Sequence, residues 1–251
     1  MIYKFSQLAE VFKVEQIKHC FVDTTILFSA SLPSDKFNGA SESVFETLSK
    51  NSIAIFTNVN VRAEFLENHR RVLIPECLID FLEDFGPLLE YSLFDKLRKH
   101  KTSYRRKVIE EKAKFDIHQI KDFRKLLSPY QFQDLDGWEL LCTSYLMRKI
   151  KPIWTNLDTQ LGLNFISLRS GDNSPYLNTP PEWEKTIDLM GRYGIASSDA
   201  MILNMFLCSK IPVLLTSDFE MAQVLNKEAK GSKKVFVPDS FFEASNNFVF
   251  E

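Results

Sequence analysis

The chain has 251 residues, 45% of them hydrophobic, enough to bury a full-sized core in one large domain or two small ones. Twenty-two Phe against eight Gly and ten Pro exclude a linker-rich or low-complexity polymer. A formal net charge of −2 excludes a general polyanion binder, so affinity for nucleic acid would have to come from local clusters of Lys and Arg.

The first twenty residues, MIYKFSQLAEVFKVEQIKHC, carry charges throughout and lack the apolar run of a signal peptide. No segment approaches the roughly 20 apolar residues that span a bilayer, so a cytoplasmic protein with no membrane partner is expected. Phe21-Val22 lead into Asp23 as a short strand, and Ser41 to Lys50, with Val44, Phe45 and Leu48 on one side, predicts a helix with Ser43 and Glu46 as a capping box. A second strand, Ile53 to Phe56, precedes Thr57-Asn58-Val59-Asn60, where either Asn can cap a helix carrying Arg62, Glu64 and Phe65.

Residues 75–180 show almost no strand signal. Val108 to Leu127 predicts a helix with apolar residues at Ile109, Ala113, Ile117, Ile120 and Phe123, while Gly86-Pro87 and Ser128-Pro129 interrupt the pattern. Phe81, Phe85, Phe94, Phe115 and Phe123 recur at roughly helical spacing, which assigns them to a core. This stretch is expected to end in the loop 170–175 and to give way, through Thr179-Pro-Pro-Glu182, to a helix from Glu182 to Met190. A helix from Asp199 to Ser209, a buried strand Pro212 to Thr216, a helix Phe219 to Asn226 and a strand Val235 to Val237 follow.

Short apolar strands alternating with helices predict an α/β fold, a three-layer α/β/α sandwich with a mainly parallel central sheet. The expected organisation is a single domain over residues 1–251, with a core at 18–74 and 183–243 and a helical insertion at 75–180. The four cysteines, Cys20, Cys77, Cys142 and Cys208, lie far apart without zinc-ligand spacing and are expected to be free thiols.

Four acids fall where such a sheet carries its chemistry. Asp23 ends the first strand and Asp218 lies two residues past Thr216, and parallel sheets place functional groups beyond the carboxyl ends of their strands. Glu64 and Asp199 fall within the first turn or so of their helices. Carboxylates converging on one point repel one another unless a cation sits between them, and oxygen-only ligands suit Mg²⁺ or Mn²⁺. Each acid also has an ordinary role open to it. Asp199 can sit at a helix start, Asp218 within a Ser217-to-Glu220 capping box, Glu64 on an exposed helix face, and Asp23 in a turn. Spacing alone does not separate these readings.

The order and setting of the four acids resemble the PIN-domain family of metal-dependent nucleases, which includes the ribonucleases of toxin–antitoxin pairs. Cys20-Phe-Val-Asp-Thr-Thr-Ile-Leu27 looks like the family's opening strand with its first acid, and Thr57 to Phe65 like the segment of the second. Gly194-Ile-Ala-Ser-Ser-Asp-Ala200 and Leu215-Thr-Ser-Asp-Phe-Glu220 are similar to the third and fourth motifs, and Val235 to Phe241 to the last strand and short helix. The resemblance covers about residues 18–74 and 183–243, and the stretch of about a hundred residues between the second and third motifs departs from it.

The resemblance implies an endoribonuclease in which Asp23, Glu64, Asp199 and Asp218 bind one or two Mg²⁺ or Mn²⁺ ions and a metal-activated water attacks the phosphodiester. It implies orienting roles for Thr24 or Thr25, Ser198 and Thr216, places Glu220 where some members have a further acid, and raises the prospects of an antitoxin-like protein inhibitor and a homodimer. Lys96 to Lys107, KLRKHKTSYRRK, is the strongest cationic stretch, which makes Lys99, Lys101, Arg105 and Arg106 candidate phosphate contacts, with Arg70 and Arg71 as a smaller pair. The alternative to phosphate contact is a solvated surface balanced by neighbouring acids. Rival functions are a catalytically weak PIN-like binding or scaffolding module and a flap-type DNA nuclease. A haloacid-dehalogenase-type phosphatase is disfavoured, because its motif needs an acid where Thr25 stands.

Overall fold

The computed structural model describes residues 1–109, 113–166, 175–229 and 231–243. In chain order the principal elements begin with β1 (Ile2–Lys4), α1 (Leu8–Val14), β2 (His19–Val22), α2 (Thr24–Ser31), α3 (Asn38–Lys50), β3 (Ala54–Asn58) and α4 (Val59–Phe85). Next come α5 (Tyr91–Ile109), α6 (Ile117–Leu127), β4 (Gln131–Phe132), β5 (Leu135–Asp136), α7 (Gly137–Leu141), α8 (Met147–Leu161) and β6 (Asn164–Ile166). The chain closes with α9 (Trp183–Tyr193), α10 (Ser197–Cys208), β7 (Val213–Leu215), α11 (Phe219–Ala229), β8 (Lys234–Val237) and α12 (Ser240–Glu243). It forms two compact units, one of Met1–Phe65 with Asp158–Glu251 and one of Leu66–Leu157. Among the described residues, no helix is long and apolar enough to cross a membrane.

The first unit is an α/β/α sandwich around a six-stranded parallel sheet in the order β1-β8-β7-β2-β3-β6. Consecutive residues of the inner strands, Cys20 to Val22 on β2 and Val213 to Leu215 on β7, are all buried, as expected when helices cover both faces. The register separates the layers. Phe21, Leu214 and Val235 are neighbours in one row, so they point to one face, and Leu215 and Phe236 point to the other. Phe206 of α10 packs on Phe21, whereas Phe12 of α1 meets Phe236 edge-on, placing α10 and α1 on opposite faces.

Two strands of the parallel sheet escape the sequence reading, as does the small antiparallel pair β4–β5. Ile2–Lys4 pairs with β8 at one sheet edge, and β6, inside the stretch 75–180 expected to be a helical insertion, pairs with β3 at the other. Both are short, and β6 exposes Asn164 and Phe165, so neither carries a buried apolar run. The helix expected from Ser41 begins at Asn38, which places Ser43 inside α3, where its carbonyl accepts the Thr47 hydroxyl instead of capping. Glu182 directly precedes α9 but its side chain caps nothing. Of the expected loop 170–175, residues 170–174 lie outside the described residues.

The second unit has its own core, in which Ile74, Leu78 and Phe81 of α4 meet Leu93 and Leu97 of α5, Ile120 and Leu127 of α6, and Leu141 of α7. Phe115 is buried in it, while Phe85, Phe94 and Phe123 pack against it partly exposed. The single helix expected over Val108 to Leu127 is not formed. Residues 113–116 are non-helical, and Asp116 starts α6 by accepting the Gln119 amide at 2.8 Å while the Gln119 side chain returns to the Asp116 amide at 2.9 Å. Pro75 inside α4 has no N–H, which frees the carbonyl of Arg71 four residues earlier, and the Phe115 amide donates to that carbonyl at 2.9 Å.

Candidate carboxylate site at the sheet edge

The carboxyl ends of β2 and β7 lie side by side, since the Asp23 amide donates to the Leu215 carbonyl at 3.0 Å and the Thr216 amide to that of Phe236 at 3.1 Å. The chain turns into a helix immediately after each strand, and this turn delivers the acids. Asp23 caps α2 with extended backbone, its Oδ2 accepting the Thr25 amide at 3.3 Å. The same oxygen accepts the hydroxyls of Thr25 at 2.8 Å and Thr216 at 2.9 Å. Its twin, Oδ1, is buried and has no hydrogen-bond partner. Asp23 is 1% exposed, and burial pushes its carboxyl up, with the Thr25 and Thr216 hydroxyls and the Thr24 backbone amide opposing and the Asp218 charge adding to the rise.

The two threonines tie the opposite strand end to Asp23. Thr216 Oγ1 accepts the Asp218 amide at 2.9 Å, and Thr25 Oγ1 accepts the Ser217 amide at 2.8 Å. Asp218 Oδ1 in turn accepts the Met221 amide at 3.0 Å, so the cap of α11 is Asp218 itself and not Ser217, whose buried hydroxyl has no hydrogen-bond partner. Glu64 reaches the same place from α4. Asn58, wholly buried at the end of β3, starts that helix by accepting the Val61 amide at 2.9 Å, and Thr24 Oγ1 donates to Glu64 Oε2 at 3.1 Å.

Asp199 stands in the first turn of α10, where the helix dipole favours a carboxylate and would lower its pKa. Its pKa instead rises to about 7, first through burial and then through repulsion from Glu64, Asp23, Asp218 and Glu220. The repulsion is the smaller cause, and it shows that the other acids lie near enough to Asp199 to act on its charge. Glu220 is exposed in the first turn of α11, and Ser198 is half-buried with no hydrogen bond to the acids among the described residues.

The buried Thr57 hydroxyl and the Asn58 side-chain amide, whose nitrogen has no partner, were missed as candidates in the sequence. Their signal was a polar pair at a strand end. All the donors here are oxygens, and one of them, Asp23 Oδ1, is buried without a proton donor, which suits a hard cation. The carboxylates nevertheless stand at electrostatic range. Among the described residues, no three His, Cys, Asp or Glu side chains form a ready-made metal-ligand group.

The candidate substrate contacts belong to the second unit. Arg70 is held by Glu67 through two 2.7 Å hydrogen bonds, and Arg71 Nε donates to the Phe115 carbonyl at 2.7 Å, so Arg71 grips Phe115 with side chain and backbone alike. Lys99 pairs with Asp95 and Lys101 with Glu83, both at the surface. Arg106 is exposed on α5, and the side chain of Arg105 lies outside the described residues. The four cysteines are free thiols, with Cys20 and Cys77 buried.

Set against models of known protein families, curated proteins and solved structures, the chain gives no significant match. The likeness to PIN-domain nucleases therefore rests on its four short motifs.

Proposed function

We propose that the protein is a divalent-metal-dependent endoribonuclease whose site is formed by Asp23, Glu64, Asp199 and Asp218. The observation that carries this reading is the hydrogen-bonded linkage of three of the acids, with Thr25 and Thr216 on Asp23, Thr216 on the Asp218 amide and Thr24 on Glu64. Beside them Asp199 is pushed up to about 7, first by burial and then by the charges of the other acids. Ordinary helix-start residues do not oppose one another in this way, and a site that gathers unbalanced negative charge is built for a positive partner. RNA as the substrate follows from the resemblance of the motifs, as does Mg²⁺ or Mn²⁺ as the metal.

Asp23 Oδ1 and the carboxylates of Glu64, Asp199 and Asp218 would hold the ion, which supplies charge to polarise a phosphoryl oxygen and to make water acidic enough to attack. The chain's own contribution is orientation. Thr25 and Thr216 occupy Asp23 Oδ2 and leave Oδ1 for the ion, and Thr24 fixes Glu64 through Oε2. No Ser, Cys or His nucleophile is required.

A second reading has its own support. The acids do not form a ready-made ligand group, which suits a binding or scaffolding module with little turnover. Labelled single-stranded RNA and DNA with Mn²⁺, incubated with the wild type, Asp23→Asn and Asp199→Asn, separate the readings. Cleavage of RNA by the wild type alone supports the ribonuclease. Equal inactivity of all three supports the binding module, and cleavage confined to DNA supports a flap-type enzyme.

A further inference from the structure

The second unit contains a feature that the carboxylate site does not use. The cationic run Lys96 to Lys107 lies wholly within α5, and between α5 and α6 opens a cavity of about 530 Å³, within the usual range for a small-ligand site. Lys96, Lys99 and Lys107 line it together with the apolar side chains of Phe115, Phe123 and Leu126; among the described residues Asp122 is the one acid in its wall, and Lys99 also pairs with Asp95. Phe115 and Phe123 are stacked almost parallel, with centroids 5.4 Å apart and planes 9° from each other. Phe115 is buried, whereas Phe123 is partly exposed to the cavity, so the stack ends at an open edge. A second hollow of about 420 Å³ adjoins along α5, and Lys99 and Ser103 line both.

Flat apolar surface flanked by ammonium groups is complementary to a ligand that is aromatic at one end and anionic at the other. Every nucleobase offers a π-face to such a surface, and a neighbouring lysine gains affinity for phosphate by releasing counterions. We propose that the cavity between α5 and α6 takes one nucleotide of a single-stranded RNA, its base against Phe123 and its phosphates on Lys96, Lys99 and Lys107. The adjoining hollow lets the next phosphate follow α5. The choice of RNA rests on the ribonuclease reading, but the site contains none of the four acids, so binding and cleavage can fail separately.

The test measures binding of the full chain in EDTA, where no cleavage occurs, to a short fluorescent uridine-rich RNA, to DNA of the same sequence and to inorganic polyphosphate. The paired change Lys96→Gln with Lys107→Gln should weaken RNA binding about tenfold and reduce the slope of log affinity against log salt by about 1.4, or ~0.7 per lost phosphate contact on a single strand. Phe123→Leu should weaken RNA binding about tenfold while leaving polyphosphate binding unchanged, since polyphosphate has no base to stack. Should Phe123→Leu disturb the fold, photocrosslinking of 4-thiouridine RNA to the wild type takes its place, with adducts expected in residues 115–127. Unchanged binding by the lysine pair, equal loss of RNA and polyphosphate with Phe123→Leu, adducts only elsewhere, or preference for DNA would each overturn the assignment. RNA that binds here and is never cut removes the ribonuclease reading alone.

Discussion

Asp199→Asn removes one negative charge and almost no volume, so it reads the cost of that charge in the fold, from burial first and from the neighbouring acids second. In the folded chain without divalent metal, Asp199 holds its proton to a pKa of about 7, against an ordinary value of 3.8. At ~1.36 kcal/mol per pH unit, ionising it at pH 8 would cost the folded state at most about 4 kcal/mol. The side chain is only half-buried and solvent screens it, so a stabilisation by Asn of about 1–2 kcal/mol is expected, or about 2–8 °C in Tm for a chain of this size. The sign follows from proton counting. Between about pH 4 and pH 7 the folded state keeps a proton that the unfolded state releases, so stability falls as pH rises through that window, and the advantage of Asn shrinks toward zero near pH 4. Thermal melts in EDTA across this range measure it. Excess Mn²⁺ should reverse the order, stabilising the wild type by mass action and the variant less. A variant that is no more stable at pH 8, or whose advantage does not vary with pH, would refute the claim that burial and the neighbouring acids together oppose this charge.

Other consequences follow from single contacts. Thr216→Val removes the hydroxyl that donates to Asp23 and accepts the Asp218 amide, and should cost about 1–3 kcal/mol in urea unfolding while lowering Mn²⁺-dependent RNA cleavage more than RNA binding. Arg71→Ala should cost about 1–3 kcal/mol by releasing the buried Phe115 carbonyl, yet leave the salt slope of RNA binding unchanged, because its guanidinium serves the fold. A reduced slope for Arg71→Ala would return that residue to the substrate surface.

Much of the α/β frame was legible because its inner strands are uninterrupted apolar runs and its helices carry apolar stripes. The edges were not, since Ile2–Lys4 and Asn164–Ile166 gain their strand character from pairing with β8 and β3 rather than from their own pattern. Between Val108 and Leu127, apolar periodicity predicted one helix where the Asp116 capping box starts a new one, a case of local hydrogen bonding overriding periodicity. Of the candidate acids, Asp23 and Asp218 stand past strand ends and Glu64 and Asp199 near helix starts, as their sequence setting predicts. The orienting threonines could be named, but their partners could not, because a hydroxyl's partner is fixed by register between β2 and β7, which no local pattern encodes. Arg71 looked like a surface cation for the same reason, its partner Phe115 being forty-four residues away.

Asp23 separates the electrostatic reading from the structural one most sharply, because its two oxygens have different duties. Oδ2 takes three donors from Thr25 and Thr216, and Oδ1 takes none although it is buried. Asn at this position can keep its carbonyl oxygen where Oδ2 stands, preserving the cap and both threonine bonds, with its amide nitrogen in the place of Oδ1. That exchange removes a buried charge. Asp23→Ala instead takes the carboxylate from all three donors, and the Thr25 and Thr216 hydroxyls, 3.2 Å apart, can satisfy only one of them between themselves, at a cost of about 1–3 kcal/mol. In EDTA at pH 8, urea unfolding should therefore find Asn at least as stable as the wild type and Ala less stable than Asn by about 2 kcal/mol, with Mn²⁺ stabilising neither variant as it does the wild type. If Asp23 served only to cap α2, Asn would offer no gain and Mn²⁺ would treat all three proteins alike. Opposite signs for two replacements of one side chain arise only where the fold needs the hydrogen bonds and is opposed by the charge.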